Sequence, residues 1–205
     1  FNRDRRVENH INIVNNDHLK ENIPAIAITP NLDNSLESIS DYIIKLSKYP
    51  IKTLVVRNKF LSPEEFISLF KNIHAEIKNL MSIDLYANCS EDTFGEIKDL
   101  ADGIHLTSDR LMSLNKKKYN KPYGASCHNI EEILHANKLL FDYCFLGPVK
   151  KNIYKKKFIG WNKFNEMSLL SDIRVYALGG LTLNDLPDAL DNNADGIASI
   201  STFAN

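Results

Sequence analysis

Short β-rich runs recur along this chain, and amphipathic stretches with helix-start signals separate them. The runs are AIAIT near residue 25, TLVV near 53, IDLYA near 83, GIHL near 103, YGAS near 123, YCFLG near 143, VYALG near 175 and GIASI near 196. Such alternation is the mark of repeated βα units. Eight runs within 205 residues point to a (β/α)8 TIM barrel more than to an open doubly wound sheet.

The intervening helices carry their own start signals. In SPEEFISLFKNIHAEIK, Ser62 can cap, Pro63 suits the first helical position and Glu65 completes a capping box. Phe66, Leu69, Phe70, Ile73 and Ile77 then fall on one face at helical spacing. SLESISDYIIKLSK and NIEEILHANKLL read the same way. The pattern departs from a full barrel at its end, where GIASISTF is followed by only two residues, so the fold is expected to lack most of its last helix. The seam between the eighth and first strands then needs a cover, either residues 1–22 or a partner chain.

Residues 1–22, FNRDRRVENHINIVNNDHLKEN, are polar and Asn-rich and begin without Met. They are expected to form an extension or linker ahead of a single barrel over residues 23–205. A hydrophobic content of 43% in a chain of this size supplies one sizeable core. With 25 basic and 26 acidic residues the net charge is −1, which gives no global field for nucleic acid or an acidic membrane surface. No apolar run is long enough to cross a bilayer. Cys89, Cys127 and Cys144 are an odd set with no short repeat spacing, which argues against a disulfide framework and for a reducing, cytoplasmic setting.

In a barrel of this kind chemistry is carried at the C-terminal ends of the strands, and phosphate is commonly held after strands seven and eight. VYALGGLTLNDL places Gly179 and Gly180 there, just ahead of Thr182, a good helix cap, with Asp185 three residues on. Gly179, Gly180, Ser199 and the N–H groups around them, that of Ile200 included, are candidates to cradle one phosphate. The other strand ends nominate Thr29, Arg57, Lys59, Asn88, Cys89, His105, Thr107, Ser126, Cys127, His128, Gly147 and Pro148. Arg57 and Lys59 share one side of an extended segment and suit a diphosphate. His128 stands where proton transfer near neutral pH is wanted. Cys127 beside it faces the opposite way and does not form a simple dyad with it. Scattered single ligands such as Cys89, His105, Cys127 and His128 do not set a zinc spacing. The lysine-rich loop KKNIYKKK brings Lys150, Lys151 and Lys155 near the mouth, where one of them could close over an anion.

These residues together resemble the thiamine-phosphate synthase and TenI-type thiazole tautomerase family over residues 24–203. The resemblance is strongest in GIHL, GASCHNIEEI, DYCFLGPV, YALGGL and ADGIASIS, and is closest to the version fused behind a Nudix hydrolase domain. It implies pyrimidine-diphosphate binding at Arg57 and Lys59, with Val55 in place of a customary Gln. It also implies two Mg²⁺-binding aspartates, at whose positions this chain has Cys89, after Asn88, and Arg110, next to Asp109. Ordinary Mg²⁺-dependent synthase activity is therefore not expected, since ionising a diphosphate leaving group relies on the metal. The tautomerase branch needs only proton movement, a role the resemblance carries to His128, with a ligand phosphate on Gly179, Gly180 and Ser199.

The expectation is thus a barrel that binds a phosphorylated thiazole or thiamine phosphate through Arg57, Lys59, Asn88, Ser126, Lys150, Gly179, Gly180, Ser199 and Ile200, with His128 as acid and base. No resident metal or other cofactor is assigned. The alternative is a non-catalytic, ligand-binding or regulatory domain beside an upstream Nudix phosphohydrolase, or a homodimer.

Overall fold

Burial on both faces is what the apolar runs require, and a closed sheet ringed by helices provides it. The computed structural model describes residues 22–78, 80–151 and 157–204. Among these, eight parallel strands close in sequence order into a barrel. They are β1 (Ala25–Ile28), β2 (Thr53–Val56), β3 (Asp84–Asn88), β4 (Gly103–Leu106), β5 (Tyr123–Cys127), β6 (Tyr143–Leu146), β7 (Arg174–Leu178) and β8 (Gly196–Ser199). The closing pair joins Ala25 to Ile197 and Ala27 to Ser199.

The helices are α1 (Leu36–Leu46), α2 (Pro63–Ile77), α3 (Glu91–Gly95), α4 (Ser108–Ser113), α5 (Ile130–Lys138), α6 (Gly160–Ser168), α7 (Leu186–Asp191) and α8 (Ser201–Ala204). The capping box of Ser62 and Glu65 opens α2, whose Phe66, Leu69, Phe70, Ile73 and Ile77 are all buried against the barrel. Ser35 and Asn129 cap α1 and α5. Thr182 and Asp185 form the capping box of a 3₁₀ turn, Leu183–Asp185, that leads into α7.

Outward-facing strand residues and the helices form the larger core, in which Leu54, Ile104, Leu146 and Ile197 are shielded from solvent. A second, smaller core fills the barrel itself: Ile26, Ile28, Val55, Tyr143, Phe145 and Ala198, with Tyr86, Tyr176, Leu178 and Ile200 packed on it. Large rings lie over strand positions that have no side chain. A Cβ on Gly103 would stand 1.9 Å from the Tyr86 ring, and one on Gly124 would stand 2.1 Å from the Tyr143 ring.

The last strand is followed by a single helical turn, α8. Its Phe203 is fully buried and meets Tyr49 edge-on, with ring centroids 5.1 Å apart. The seam beside β1 is thus covered in part by α8 packed on α1, while residues 1–21 lie outside the described residues.

Candidate active site

Side chains alternate across a strand, so each strand sends one set of residues into the barrel and the other toward the helices. The inward set that holds Val55, Tyr86, Phe145, Leu178 and Ala198 extends, two residues at a time, to Arg57, Asn88, Gly147, Gly180 and Ile200 at the C-terminal mouth. On β5 the same period runs Gly124, Ser126, His128. Of the residues nominated from sequence, Arg57, Asn88, Ser126, His128, Gly147, Gly180 and Ile200 therefore share the inward set. Thr29, Cys89, Cys127, Gly179 and Ser199 belong to the opposite set, as does Cys144, whose thiol Cys127 meets.

Arg57 is half-buried, and burial lowers its guanidinium pKa from the usual value. No hydrogen bond or ion pair reaches that guanidinium among the described residues. A partly desolvated cation without a counter-ion is poised for an anion. Its backbone is held by Thr29, which is fully buried. Lys59 lies two residues on, exposed, with its N–H donated to Asn31 Oδ1 at 3.1 Å.

His128 is half-buried, and its Nδ1 lies 2.6 Å from the Gly147 carbonyl oxygen. A carbonyl only accepts, so Nδ1 carries a proton, and the singly protonated ring presents the Nε2 lone pair. The His128 N–H donates to Glu132 Oε2 at 2.6 Å, and Glu132 is itself fastened to the Asn129 cap of α5. The Nδ1 bond fixes the ring, and the Glu132 bond holds the main chain of the same residue. Thr107 caps α4 without a side-chain bond.

His105 is not a mouth residue. It is fully buried inside the barrel, with Nε2 at 3.0 Å from Ser126 Oγ and Nδ1 at 3.1 Å from the Tyr143 hydroxyl. Burial, with the charge of Arg57 adding to it, lowers its pKa to about 3, so the ring is neutral at physiological pH. Tyr143 was not among the residues nominated from sequence. Its alternation with Phe145 marks it as inward-facing, but nothing local marks the bond to a histidine 38 positions away.

The loops after β6 and β7 interlock. Val149 N–H donates to Leu178 O at 2.8 Å and Lys150 N–H to Gly179 O at 3.0 Å. Gly179 and Gly180 have φ of +102° and +69°, a backbone that side-chain-bearing residues rarely adopt. The N–H groups of Gly180 and Ser201 make no backbone hydrogen bond among the described residues. Lys150 is ion-paired to Asp185, so its ammonium is held against α7's leading turn. Ser199 is buried, and its hydroxyl donates to Leu181 O at 3.0 Å while accepting the Thr202 N–H at 3.3 Å. That side chain braces the loop. Lys155 lies outside the described residues.

After β3, Asn88 is half-buried on the inward side, whereas Cys89 is turned away and buried. Burial raises the Cys89 thiol to about 12, slightly offset by the nearby Arg110 charge. A neutral thiol and a guanidinium are not ligands for a hard, oxygen-seeking cation. No cluster of three His, Cys, Asp or Glu side chains fit to hold a metal occurs among the described residues. There are two shallow surface hollows of about 410 and 310 Å³, and the smaller is lined in part by Thr182 and Ser201. They flank the one-turn α8. No helix among the described residues is long and apolar enough to cross a membrane.

A family model described as "Thiamine monophosphate synthase" matches residues 25–203. A protein named "Putative thiamine-phosphate synthase 2" from Aquifex aeolicus is 30% identical over 175 residues, spanning 83% of this chain and 90% of that one. A thiamine-phosphate synthase of Clostridium novyi is 32% identical over 160 residues, 74% of this chain and 76% of its own. Among solved structures, a thiamine phosphate pyrophosphorylase from Pyrococcus furiosus superposes with a TM-score of 0.66 at 23% identity, covering 86% of this chain and 85% of that one.

Proposed function

The chain belongs to the thiamine monophosphate synthase family, and from that premise we propose that its barrel mouth binds a phosphorylated thiazole or thiamine phosphate and moves a proton on it, in the manner of a tautomerase or a much diverged synthase. The observation that carries this reading is the fixed tautomer of His128, whose Nδ1 is tied to Gly147 O and whose Nε2 has no hydrogen-bond partner among the described residues. Arg57 supplies a cation that meets no counter-ion among the described residues, and main-chain N–H groups around Gly180 and Ser201 supply neutral donors for a phosphate.

In this scheme His128 Nε2 takes a proton from the bound ligand and returns it to another atom of the same ligand, so no group leaves. Arg57 balances the ligand's negative charge throughout. The residues at 89 and 110 do not fit Mg²⁺, and no step is routed through a metal. The test is titration calorimetry with thiamine monophosphate and with thiazole phosphate, paired with isomerisation of the thiazole phosphate followed by NMR. Binding together with a rate that falls about 10²- to 10⁴-fold in His128→Asn is expected; no heat with either compound defeats the reading.

Cys89 and Arg110 also favour a second reading, a non-catalytic sensor domain such as one attached to a Nudix phosphohydrolase. Binding without turnover, unaffected by His128→Asn, is its signature.

A further inference from the structure

Three polar groups inside the barrel form a chain that the proton transfer at His128 does not use: Tyr143 Oη, the His105 ring and Ser126 Oγ. We infer that Tyr143 locks His105 in the tautomer protonated at Nε2, so that His105 donates to Ser126 and the Ser126 hydroxyl proton is left to donate to an anionic ligand at the mouth. This rests on the ligand-binding reading above and adds two positioning residues to it.

The argument is a proton count. Tyr143 is 2% exposed, stacked among Tyr86, Phe145, Tyr176 and His105, and its hydroxyl meets one polar partner among the described residues, His105 Nδ1. If Nδ1 carried the proton, the phenol would have to accept it, and its own proton would point into an aromatic interior with no acceptor. A buried donor left unsatisfied is disfavoured. The phenol therefore donates to Nδ1. Burial also raises the Tyr143 pKa, which keeps the phenol a donor.

A neutral imidazole with an accepting Nδ1 must carry its proton on Nε2. That proton occupies a lone pair of Ser126 Oγ, 3.0 Å away. Burial of His105 excludes the doubly protonated ring at ordinary pH. Ser126 is half-buried on the inward face of β5, two residues before His128, and its hydroxyl proton has no acceptor among the described residues. Gly124 makes the arrangement possible, because the Tyr143 ring lies where its Cβ would be. The mouth is thereby given a donor of fixed polarity beside the acceptor nitrogen of His128.

The direct test is ¹⁵N–¹H NMR of the full chain with ¹⁵N-labelled histidine. A proton on His105 Nε2, unchanged from about pH 8 to 5, is expected; a proton on Nδ1 overturns the inference. The functional arm measures thiamine monophosphate binding by calorimetry in Tyr143→Phe, Ser126→Ala and the double variant. Each single change is expected to weaken binding about 3- to 10-fold, the span of an ordinary hydrogen bond. The double variant is expected to be no weaker than Ser126→Ala, because both act through one proton. Tyr143→Phe effects that persist undiminished without the Ser126 hydroxyl mean that Tyr143 acts through packing and overturn the positioning role. If the unaltered protein gives no heat with thiamine monophosphate, the binding proposal falls while the NMR result still decides the tautomer. That spectrum also settles the matter if Tyr143→Phe does not fold.

Discussion

Thr29 Oγ1 donates to the Arg57 carbonyl at 2.7 Å and accepts the Arg57 N–H at 2.8 Å, two bonds from one buried hydroxyl across the β1–β2 boundary. The pairing continues the ladder one residue past β2 and sets where the Arg57 guanidinium emerges. Replacing Thr29 by Val keeps the shape and leaves both backbone groups unpaired. A loss of about 1–3 kcal/mol is expected in denaturant unfolding, with weaker pyrophosphate binding by calorimetry. Unchanged values for both would show that Arg57 is placed by other contacts.

His105 makes stability acid-sensitive. Its folded pKa of about 3 lies below the ordinary histidine value near 6.5, so across that window the unfolded chain binds a proton that the folded one does not. The contribution is present above about pH 6.5 and declines as pH falls toward 3, with a limiting slope of about 1.4 kcal/mol per pH unit. Thermal unfolding of His105→Gln is expected to show a flatter dependence over this range. An identical profile for both proteins would place the sensitivity elsewhere.

Asp185 joins the two loops that carry Lys150 and Gly180. Partial burial pushes its carboxyl up, but hydrogen bonds from Lys150 and Thr182 outweigh that and leave it below the ordinary value. Its contribution is present above the usual carboxylate pKa and is lost as pH drops through the lowered value, so it shows only below about pH 4. Asp185→Asn releases Lys150 from its ion pair. At about 50 mM salt a several-fold gain in pyrophosphate affinity is expected, with stability reduced by up to about 1 kcal/mol because Lys150 is partly exposed. A drop in affinity would show that Asp185 presents Lys150 to the anion rather than withholding it.

Thiamine monophosphate affinity is expected to change less than about 2-fold between millimolar Mg²⁺ and a chelator, since Cys89 and Arg110 are poor partners for a hard cation. Introducing a carboxylate at the first position does not create a Mg²⁺ response, because Cys89 faces the packed side of β3 and is 5% exposed. Cys89→Asp is instead expected to cost about 2–5 kcal/mol in chemical unfolding. A Mg²⁺-dependent gain in affinity in that variant would contradict this orientation.

Much of the architecture was legible in local pattern. All eight apolar runs are strands, and the Ser62, Asn129 and Thr182 caps open the segments their spacing indicated. Period-two alternation also separates His128 from Cys127. The partners of Ser199 and His105 were not legible there. Both stand near strand ends, but one braces a loop and the other is sealed beneath the mouth, and which of these happens depends on neighbours 18 to 38 positions distant.

Hydrophobic period, turn glycines and helix caps are properties of a few adjacent residues, and by themselves they determined the order of elements and the parallel sheet. The register at which β4, β5 and β6 lie side by side is a property of closure. It is this register that brings Tyr143 and Ser126 within 3.0–3.1 Å of the two nitrogens of His105 and hands His128 the Gly147 carbonyl. Hydrogen bonds run between side chains in space, so the tautomers of both histidines, and with them the polarity of the mouth, were decided only by the tertiary structure.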